Sequence, residues 1–302
     1  MEPQMNADEP RMNADKDRGF VLPIRVNPGS SVVPEMPAAV DARDLRLTYP
    51  NGIRALDGVS IQVSHGEFLA ILGPNGSGKS SLLRSIAGLQ PVDSGEVLLE
   101  GAPLAALEMR ERARRVALVP ATLEVLPGYT VEDFVLMGRY AHLRGWRLYG
   151  AHDREVAHEC LRRVDAFEFL ERGMDELSGG ERQRALIARA LAQEARTVLL
   201  DEPTSALDLS HQLLVYRLIH EMHHGSGRTI VVVTHDLNLA SQFANRLALM
   251  QGGRVVSQGT PGEVLRRETL EKVYGPDLAF GVFEQSIAGG PRPWVLPWAK
   301  AL

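Results

Sequence analysis

One stretch constrains this chain more than any other: a short apolar run followed by a glycine-rich turn. Residues 68–72 (FLAIL) are all apolar, which predicts a strand buried on both faces of a parallel sheet. The turn from Gly73 to Ser80, GPNGSGKS, matches the phosphate-loop pattern G-x-x-x-x-G-K-[ST]. Residues 81–87 have helical spacing of apolar side chains and end at Gly88. This order predicts a nucleotide-phosphate site rather than a glycine-rich connector.

The chemistry of the loop follows from its residue types. Gly73, Gly76 and Gly78 let the backbone curl so that its N–H groups point at phosphate oxygens. The N-terminus of the following helix adds a partial positive charge. We expect the Lys79 ammonium to reach the β- and γ-phosphates and the Ser80 hydroxyl to bind Mg²⁺.

Composition limits the classes of function that are open to this chain of 302 residues. With 44% hydrophobic and 24% charged residues it is typical of a soluble globular protein, and a net charge of −5 gives no reason to expect a nucleic-acid partner. The single cysteine, Cys160, excludes an internal disulfide framework and is interpreted as a buried or inert thiol. The sequence has no apolar run of about 18 residues and no secretion signal, so work at a membrane requires docking onto another protein.

The N-terminal half also predicts a β lobe and a helical region. Residues 1–40 are polar and proline-rich, and we expect them to be disordered. Residues 41–49 and 59–63 alternate apolar and polar side chains, which predicts an antiparallel hairpin. The ring of Tyr49 could stack on a nucleobase or pack within a strand, and its spacing leaves both interpretations open. Residues 128–173 have a mostly helical pattern.

A glycine pair opens another predicted helix. Ser178 and Glu181 have the spacing of a capping box, which alone accounts for a helix that begins here. A capping box does not need Gly179 and Gly180, and two glycines leave the N–H groups at the helix start bare for an anion. The pattern therefore favours a second phosphate contact, with plain capping as the alternative.

Polar residues follow two further strand patterns. Residues 197–200 precede Asp201 and Glu202, at the strand end where α/β sheets bind ligands. Asp201 is placed to hold Mg²⁺ through water, and Glu202 to orient and deprotonate a water molecule. Residues 229–234 precede His235, which we interpret as a γ-phosphate or water contact. A plain charged turn would explain one such residue but not this ordered set.

Taken together, the motifs resemble the ATP-binding-cassette (ABC) family of ATPases from about residue 41 to about residue 274. The matching phosphate loop, signature motif, second acidic motif and D-loop lie at residues 73–80, 177–184, 198–202 and 205–208. Glu202 then matches the catalytic glutamate and His235 the switch histidine. Tyr49 matches the aromatic residue that stacks on adenine, which favours the stacking interpretation.

The resemblance implies an α/β P-loop NTPase with a RecA-like core, an antiparallel β lobe and a helical subdomain inserted at about residues 121–175. It divides the chain into a disordered extension (1–40), an ABC ATPase domain (41–270) and a C-terminal extension (271–302). Two subunits are expected to form a head-to-tail homodimer. Each ATP then lies between the phosphate loop of one subunit and the signature motif of the other.

The resemblance also implies a set of site residues, with ATP as substrate and Mg²⁺ as cofactor. The catalytic residues are Glu202, His235 and Lys79. The ATP-binding residues are Tyr49, Gly73, Pro74, Asn75, Gly76, Ser77, Gly78, Lys79, Ser80 and Ser81. The residues that contact ATP from the partner subunit are Ser178, Gly179 and Gly180, and the Mg²⁺ ligands are Ser80 and Asp201.

Narrower motifs resemble the ATPases of importers for iron–siderophore complexes, haem and cobalamin. They lie at residues 135–140, 208–212, 235–240 and 258–261, and residues 273–297 resemble the tail of those proteins. The resemblance implies a peripheral ATPase subunit at the cytoplasmic face of the cell membrane, with a multi-span permease and an extracytoplasmic binding protein as partners. The alternatives are a soluble ABC ATPase that assembles or remodels a protein complex, and a module that no longer hydrolyses ATP.

One position departs from the family pattern. The family places a glutamine that ligates Mg²⁺ and relays nucleotide state directly after a strand-ending proline, and this chain has Ala121 after Pro120. We expect hydrolysis to survive because Glu202 and His235 are intact. We also expect Thr122 or a water molecule to fill the missing coordination position.

Overall fold

The computed structural model describes residues 37–122, 127–143, 148–205 and 207–298. The disorder expected for residues 1–40 therefore falls almost wholly outside the described residues. Within the described ranges, no helix combines the length and apolar character that a membrane crossing requires.

The β lobe is a four-stranded antiparallel sheet. Strand β1 (Val40–Thr48) pairs with β2 (Arg54–Val63) on one side and with β4 (Ser94–Leu99) on the other, and β5 (Ala102–Pro103) completes the sheet. The alternating apolar residues of β2 are buried toward the core, and the polar ones between them are exposed or half-buried. The predicted hairpin is confirmed.

The core is a six-stranded sheet whose central strand is β3 (Phe68–Leu72). From one edge to the other, the strands are β10 (Arg254–Gly259), β9 (Arg246–Gln251), β3, β8 (Thr229–Val233), β7 (Thr197–Asp201) and β6 (Val116–Val119). Five of them are parallel, and β10 is antiparallel to β9. The carboxyl ends of the parallel strands lie along one edge of the sheet, so the residues that directly follow these strands lie close together.

Strand β3 is apolar throughout because each of its two faces packs into a different hydrophobic core. Leu69 and Ile71 belong to the core shared with the β lobe, whereas Phe68, Ala70 and Leu72 belong to the core shared with the helices. All five residues are buried. The period of two along a strand sends alternate side chains to opposite faces, and here both faces are covered.

Nine α-helices surround this sheet within the described ranges. They are α1 (Lys79–Ile86), α2 (Met109–Arg115), α3 (Val131–Leu136), α4 (Ala151–Arg163), α5 (Gly179–Ala192), α6 (Leu209–Ser226), α7 (Leu237–Phe243), α8 (Pro261–Val264) and α9 (Arg267–Tyr274). Three 3-10 helices lie at Leu104–Ala106, Met137–His142 and Phe167–Phe169. A separate hairpin of β11 (Leu278–Phe283) and β12 (Arg292–Pro297) follows α9.

Helix α1 begins two residues earlier than the sequence predicts, at Lys79 rather than 81. Its N-cap is Gly78, whose φ of 98° lies in the left-handed region that a non-glycine residue rarely adopts. The sharp turn at this glycine places Lys79 and Ser80 in the first helical turn, next to the loop. The helix ends before Gly88, as predicted.

The helical subdomain depends on a close contact between two helices. A Cβ on Gly138 would lie 2.3 Å from the carbonyl oxygen of Arg189 in α5, so only glycine fits there. The neighbouring Arg139 is 3% exposed and forms ion pairs of 3.2 Å with Asp153 and 2.6 Å with Glu194. Packing and charge pairing therefore explain the importer-like motif at residues 135–140.

Cys160 lies on the buried face of α4, with 6% of its surface exposed. Burial raises the pKa of its thiol to about 11. The thiolate, which is the reactive form, is therefore scarce at neutral pH. The interpretation of Cys160 as a buried thiol is confirmed.

Candidate functional site

The phosphate loop has the curled backbone that its glycines predict. Gly73, Gly76 and Gly78 have φ angles of 146°, 78° and 98°. A Cβ on Gly73 would lie 2.2 Å from the carbonyl oxygen of Met250, and one on Gly78 would lie 2.2 Å from that of Ala55. At Gly76 the space is open, so glycine is needed there only for its backbone conformation.

Lys79 is 5% exposed, and its ammonium faces the loop. The Nζ atom donates to the carbonyl oxygens of Gly73 at 2.8 Å and Pro74 at 3.1 Å. Burial lowers the pKa of Lys79, and the charges of Glu202 and Asp201 partly offset this effect. A poorly solvated cation at a helix start is a favourable partner for a phosphate anion.

Ser80 and Asp201 form a pair of hard oxygen donors. The Ser80 hydroxyl donates to Oδ1 of Asp201 at 2.8 Å, and Asp201 is 2% exposed. Burial raises the pKa of Asp201, and the Ser80 hydrogen bond partly offsets the rise. Mg²⁺ is commonly held by one or two protein oxygens together with substrate phosphates, and this pair fits that pattern. In the part of the chain that the structure describes, no group of three or more His, Cys, Asp and Glu residues is placed to hold a metal ion. A metal ion at this pair would therefore need further ligands from a bound phosphate.

A cleft of about 380 Å³ lies over the phosphate loop. Tyr49 lines it from the β lobe, and Glu202 lines it from the end of β7. The Tyr49 hydroxyl lies 3.0 Å from the Ser81 hydroxyl, which joins the β lobe to the first turn of α1. The cleft therefore has an aromatic ring beside the loop and a carboxylate beyond it.

Glu202 has an unusual backbone for a residue that is not glycine. Its φ is 47°, and its N–H donates to the carbonyl oxygen of Val233 at 2.9 Å. Strained conformations of this kind persist only where the surrounding structure holds them, and they are frequent at active sites. Nδ1 of His235 lies 3.9 Å from Oε2 of Glu202. The side chains are 62% and 26% exposed respectively, so both are open to a ligand.

The signature segment forms the predicted capping box at the start of α5. The Ser178 hydroxyl accepts from the N–H of Glu181 at 3.4 Å, and the Glu181 carboxylate accepts from the N–H of Ser178 at 2.7 Å. The capping box does not explain why residues 179 and 180 are glycines. Neither Gly179 nor Gly180 has a positive φ, and a Cβ on Gly179 would meet nothing within 4 Å.

Within one chain the signature segment is not part of the nucleotide cleft. Ser178 and Gly180 line a different groove, together with residues such as Arg184 and His211, and the two grooves share no lining residue. The structure thus brings Tyr49, the phosphate loop, Asp201, Glu202 and His235 to one place. It leaves the proposed partner-facing residues apart from them.

Two residues near the site were not assigned a role from the sequence. Tyr274, at the end of α9, has its pKa raised to about 12 by burial, an effect that the backbone of Gly73 partly offsets. Asn238 lies three positions after His235 and bonds to strand β12. Through Asn238, strand β12 is joined to the helix that follows His235. The only signal in the sequence was that these positions lie in importer-like motifs.

Comparison with known proteins agrees with this site. The family model described as "ABC transporter" matches residues 56–205. The hemin import ATP-binding protein of Streptomyces coelicolor is 42% identical over 262 residues, which cover 85% of this chain and 91% of that protein. This chain belongs to the ABC transporter family. The ferric enterobactin transport ATP-binding protein of Escherichia coli is 36% identical over 235 residues, which cover 78% of this ABC chain and 86% of that relative.

Solved structures confirm the ABC cassette fold. A chain of an ABC transporter assigned to the metal-chelate type, in an inward-facing conformation, superposes with a TM-score of 0.73 at 28% identity. The match covers 86% of this chain and 98% of that one. An ATP-binding cassette in a dimeric post-hydrolysis state, bound to ADP and Pi, superposes with a TM-score of 0.68 at 32% identity, covering 73% of this chain and 98% of that one. The predicted fold class is confirmed, and the protein is an ATP-binding and ATP-hydrolysing ABC subunit.

Proposed function

We propose that this ABC subunit hydrolyses ATP to drive import of a metal chelate of the iron–siderophore, haem or cobalamin type. The observation that carries the proposal is the 42% identity to a hemin import subunit across 85% of the chain. The importer-like motifs in the sequence and the structural similarity to a transporter of the metal-chelate type support it. The subunit would lie at the cytoplasmic face of the membrane, bound to a permease that receives its cargo from an extracytoplasmic binding protein.

For the chemistry, we propose that water attacks the γ-phosphate in line with the leaving group. Glu202 orients this water and accepts its proton, and His235 contacts the γ-phosphate or the water. Lys79 and the loop N–H groups stabilise the charge on the phosphate oxygens, and Tyr49 stacks on the adenine. The cleft supports these roles because its lining residues follow the order of the groups they would contact. Tyr49 would face the adenine, the phosphate loop the phosphates, and Glu202 the attacking water.

We propose that Ser80 and Asp201 hold Mg²⁺ through their paired oxygens. When bound, the ion supplies charge neutralisation at the phosphate oxygens. The pKa of Asp201 is raised because burial penalises its negative charge more than the neighbouring groups stabilise it. A bound cation would supply the missing stabilisation.

We further propose that Ser178, Gly179 and Gly180 contact ATP on the partner subunit of a homodimer. The open space around Gly179 supports this role, since neither the backbone nor a neighbour within the chain requires glycine there. The dimeric state of the related cassette supports the same arrangement. ATP would then join two subunits, and its hydrolysis would release them.

The role of Ala121 is testable through its Mg²⁺ dependence. Ala121→Gln is expected to lower the Mg²⁺ concentration that gives half-maximal ATPase activity, because the new amide oxygen adds a ligand that Thr122 or a water molecule otherwise supplies. The measurement is phosphate release over a Mg²⁺ titration. The matched variant Thr122→Val should shift the titration in the opposite direction if the hydroxyl is that ligand. An unchanged titration in Ala121→Gln would show that the site lacks no ligand.

Co-purification tests the transport function itself. The tagged chain, drawn from detergent-solubilised membranes, is expected to retain an integral membrane protein of many helices. The ATPase rate of that complex should rise when a binding protein loaded with an iron–siderophore or haem is added. Glu202→Gln serves as the control that keeps the complex but loses the stimulated rate. Recovery from the soluble fraction alone, in a soluble complex, would instead favour the remodelling ATPase.

A further inference from the structure

The C-terminal hairpin is bonded to the helix that follows His235. Helix α7 starts one residue after Asp236, whose carboxylate accepts from the N–H groups of Asn238 at 2.9 Å and Leu239 at 2.8 Å. This cap fixes the first turn of α7 directly after the switch histidine. His235 lies between the end of β8, where the N–H of Thr234 donates to the carbonyl oxygen of Ile71 at 3.1 Å, and the start of α7, so a shift of α7 would move its backbone.

The side chain of Asn238 pairs with the backbone of β12 through both of its polar atoms. Its Nδ2 donates to the carbonyl oxygen of Val295 at 3.0 Å, and its Oδ1 accepts from the N–H of Val295 at 2.8 Å. One turn further along α7, the Ser241 hydroxyl donates to the carbonyl oxygen of Pro293 at 2.6 Å. Val295 is 3% exposed and Ser241 is fully buried. Three hydrogen bonds thus join one face of α7 to the outer edge of β12.

Packing of the imidazole ring does not by itself hold His235 in place, because the side chain is 62% exposed. Its 3.9 Å approach to Glu202 therefore depends on the backbone that carries it. Asparagine has a lower intrinsic helix propensity than alanine or leucine, so propensity does not account for Asn238. A specific contact is a better explanation for Asn238 than helix stability.

We propose that Asn238 is a positioning residue for ATP hydrolysis: by pairing with Val295 of the C-terminal hairpin, it holds α7 so that His235 faces Glu202. This inference rests on the proposed role of His235. It assigns the hairpin of β11 and β12 a part in the ATPase site, although neither strand contributes a residue to the nucleotide cleft.

The test is a double-mutant cycle in the full-length chain. Asn238→Ala is expected to lower kcat for ATP hydrolysis by about 10-fold, because small misplacements of a reacting group have effects of this size or larger. The KM for ATP should stay within about two-fold, since the residues that bind ATP lie on other elements. In a His235→Ala background, Asn238→Ala should lower kcat no further, because its effect passes through the missing imidazole.

Two further variants keep the test decisive. Ser241→Ala removes one bond of the same contact and is expected to lower kcat by about two-fold, even if Asn238→Ala folds poorly. Asn245→Ala is the matched control: its Oδ1 accepts from the N–H of Phe68 at 3.0 Å, beyond the other end of α7. It should reduce the melting temperature while kcat stays within about two-fold of the parent.

The outcomes separate the two levels of the proposal. If His235→Ala lowers kcat but Asn238→Ala and Ser241→Ala change only the melting temperature, the contact is purely structural and the inference is wrong. Equal losses from Asn238→Ala in both backgrounds would also overturn it, because the effect would not pass through His235. A His235→Ala variant with an unchanged kcat would reject the proposed role of His235, and the inference with it.

Discussion

Glu202→Gln is expected to lower the rate of ATP hydrolysis by at least about 100-fold while ATP binding stays intact, because general-base catalysis commonly contributes that much. The amide keeps the shape of the side chain but cannot accept the proton of the attacking water. The φ of 47° is equally accessible to either residue, so the fold should be unaffected. Phosphate release measures the rate, equilibrium dialysis measures ATP binding, and gel filtration with ATP should show an accumulated dimer.

The chain offers a closely matched control for this substitution. Glu100 has a φ of 53°, so it too is a glutamate in the left-handed region, but its half-buried carboxylate pairs with Arg196 and Arg115 outside the nucleotide cleft. Glu100→Gln should change the hydrolysis rate by less than about two-fold, because Glu100 does not line that cleft. A nearly normal rate in Glu202→Gln would count against Glu202 as the base.

Gly179→Asp is expected to stabilise the fold and to abolish hydrolysis at the same time. A carboxylate in the first turn of α5 interacts favourably with the helix dipole, by about 0.3–1 kcal/mol, and a Cβ at this position would meet no atom within 4 Å. The same negative charge would repel the γ-phosphate that the partner subunit presents. We expect a loss of at least about 100-fold in ATPase rate, the scale of removing a group that stabilises transition-state charge. Urea unfolding and phosphate release measure the two effects separately.

The matched control places the same charge at the start of another helix. Ala151 is the first residue of α4 and is exposed, so Ala151→Asp should leave the ATPase rate within about two-fold of the parent.

Mixing two inactive chains tests the contact across subunits. A Gly179→Asp chain and a Lys79→Ala chain together form one intact composite site, so the mixture should regain activity. A mixture that stays inactive would mean that the signature segment acts within its own chain.

Local patterns predict most of the nucleotide cleft, because each element of it is specified within a few residues. The φ angles at Gly73 and Gly78 are required by the turn itself, and the capping box at Ser178 closes within one helical turn. The unbroken apolar run of β3 follows from its place between two cores. These features are short-range, so the sequence alone identifies them.

What the sequence does not predict depends on distant contacts. Asn238 and Val295 are 57 positions apart, and nothing in either local pattern indicates that they pair. The positive φ of Glu202 is accompanied by a hydrogen bond from its N–H to Val233 on the neighbouring strand, a partner fixed by strand order. The order of strands in the central sheet is itself a long-range property. The separation of the signature groove from the nucleotide cleft of the same chain agrees with the family resemblance, which places that motif against the partner subunit.

The hydrogen bond between Tyr49 and Ser81 has a consequence for nucleotide choice. It holds the proposed stacking ring at a set spacing from the first turn of α1, where the phosphates would bind. An aromatic face accepts any base, since every base has a π-face. If Tyr49 stacks on the base as proposed, such a site would recognise a triphosphate chain of the right reach more sharply than it would distinguish adenine from guanine. The length of the nucleotide would then matter more to this subunit than the identity of its base.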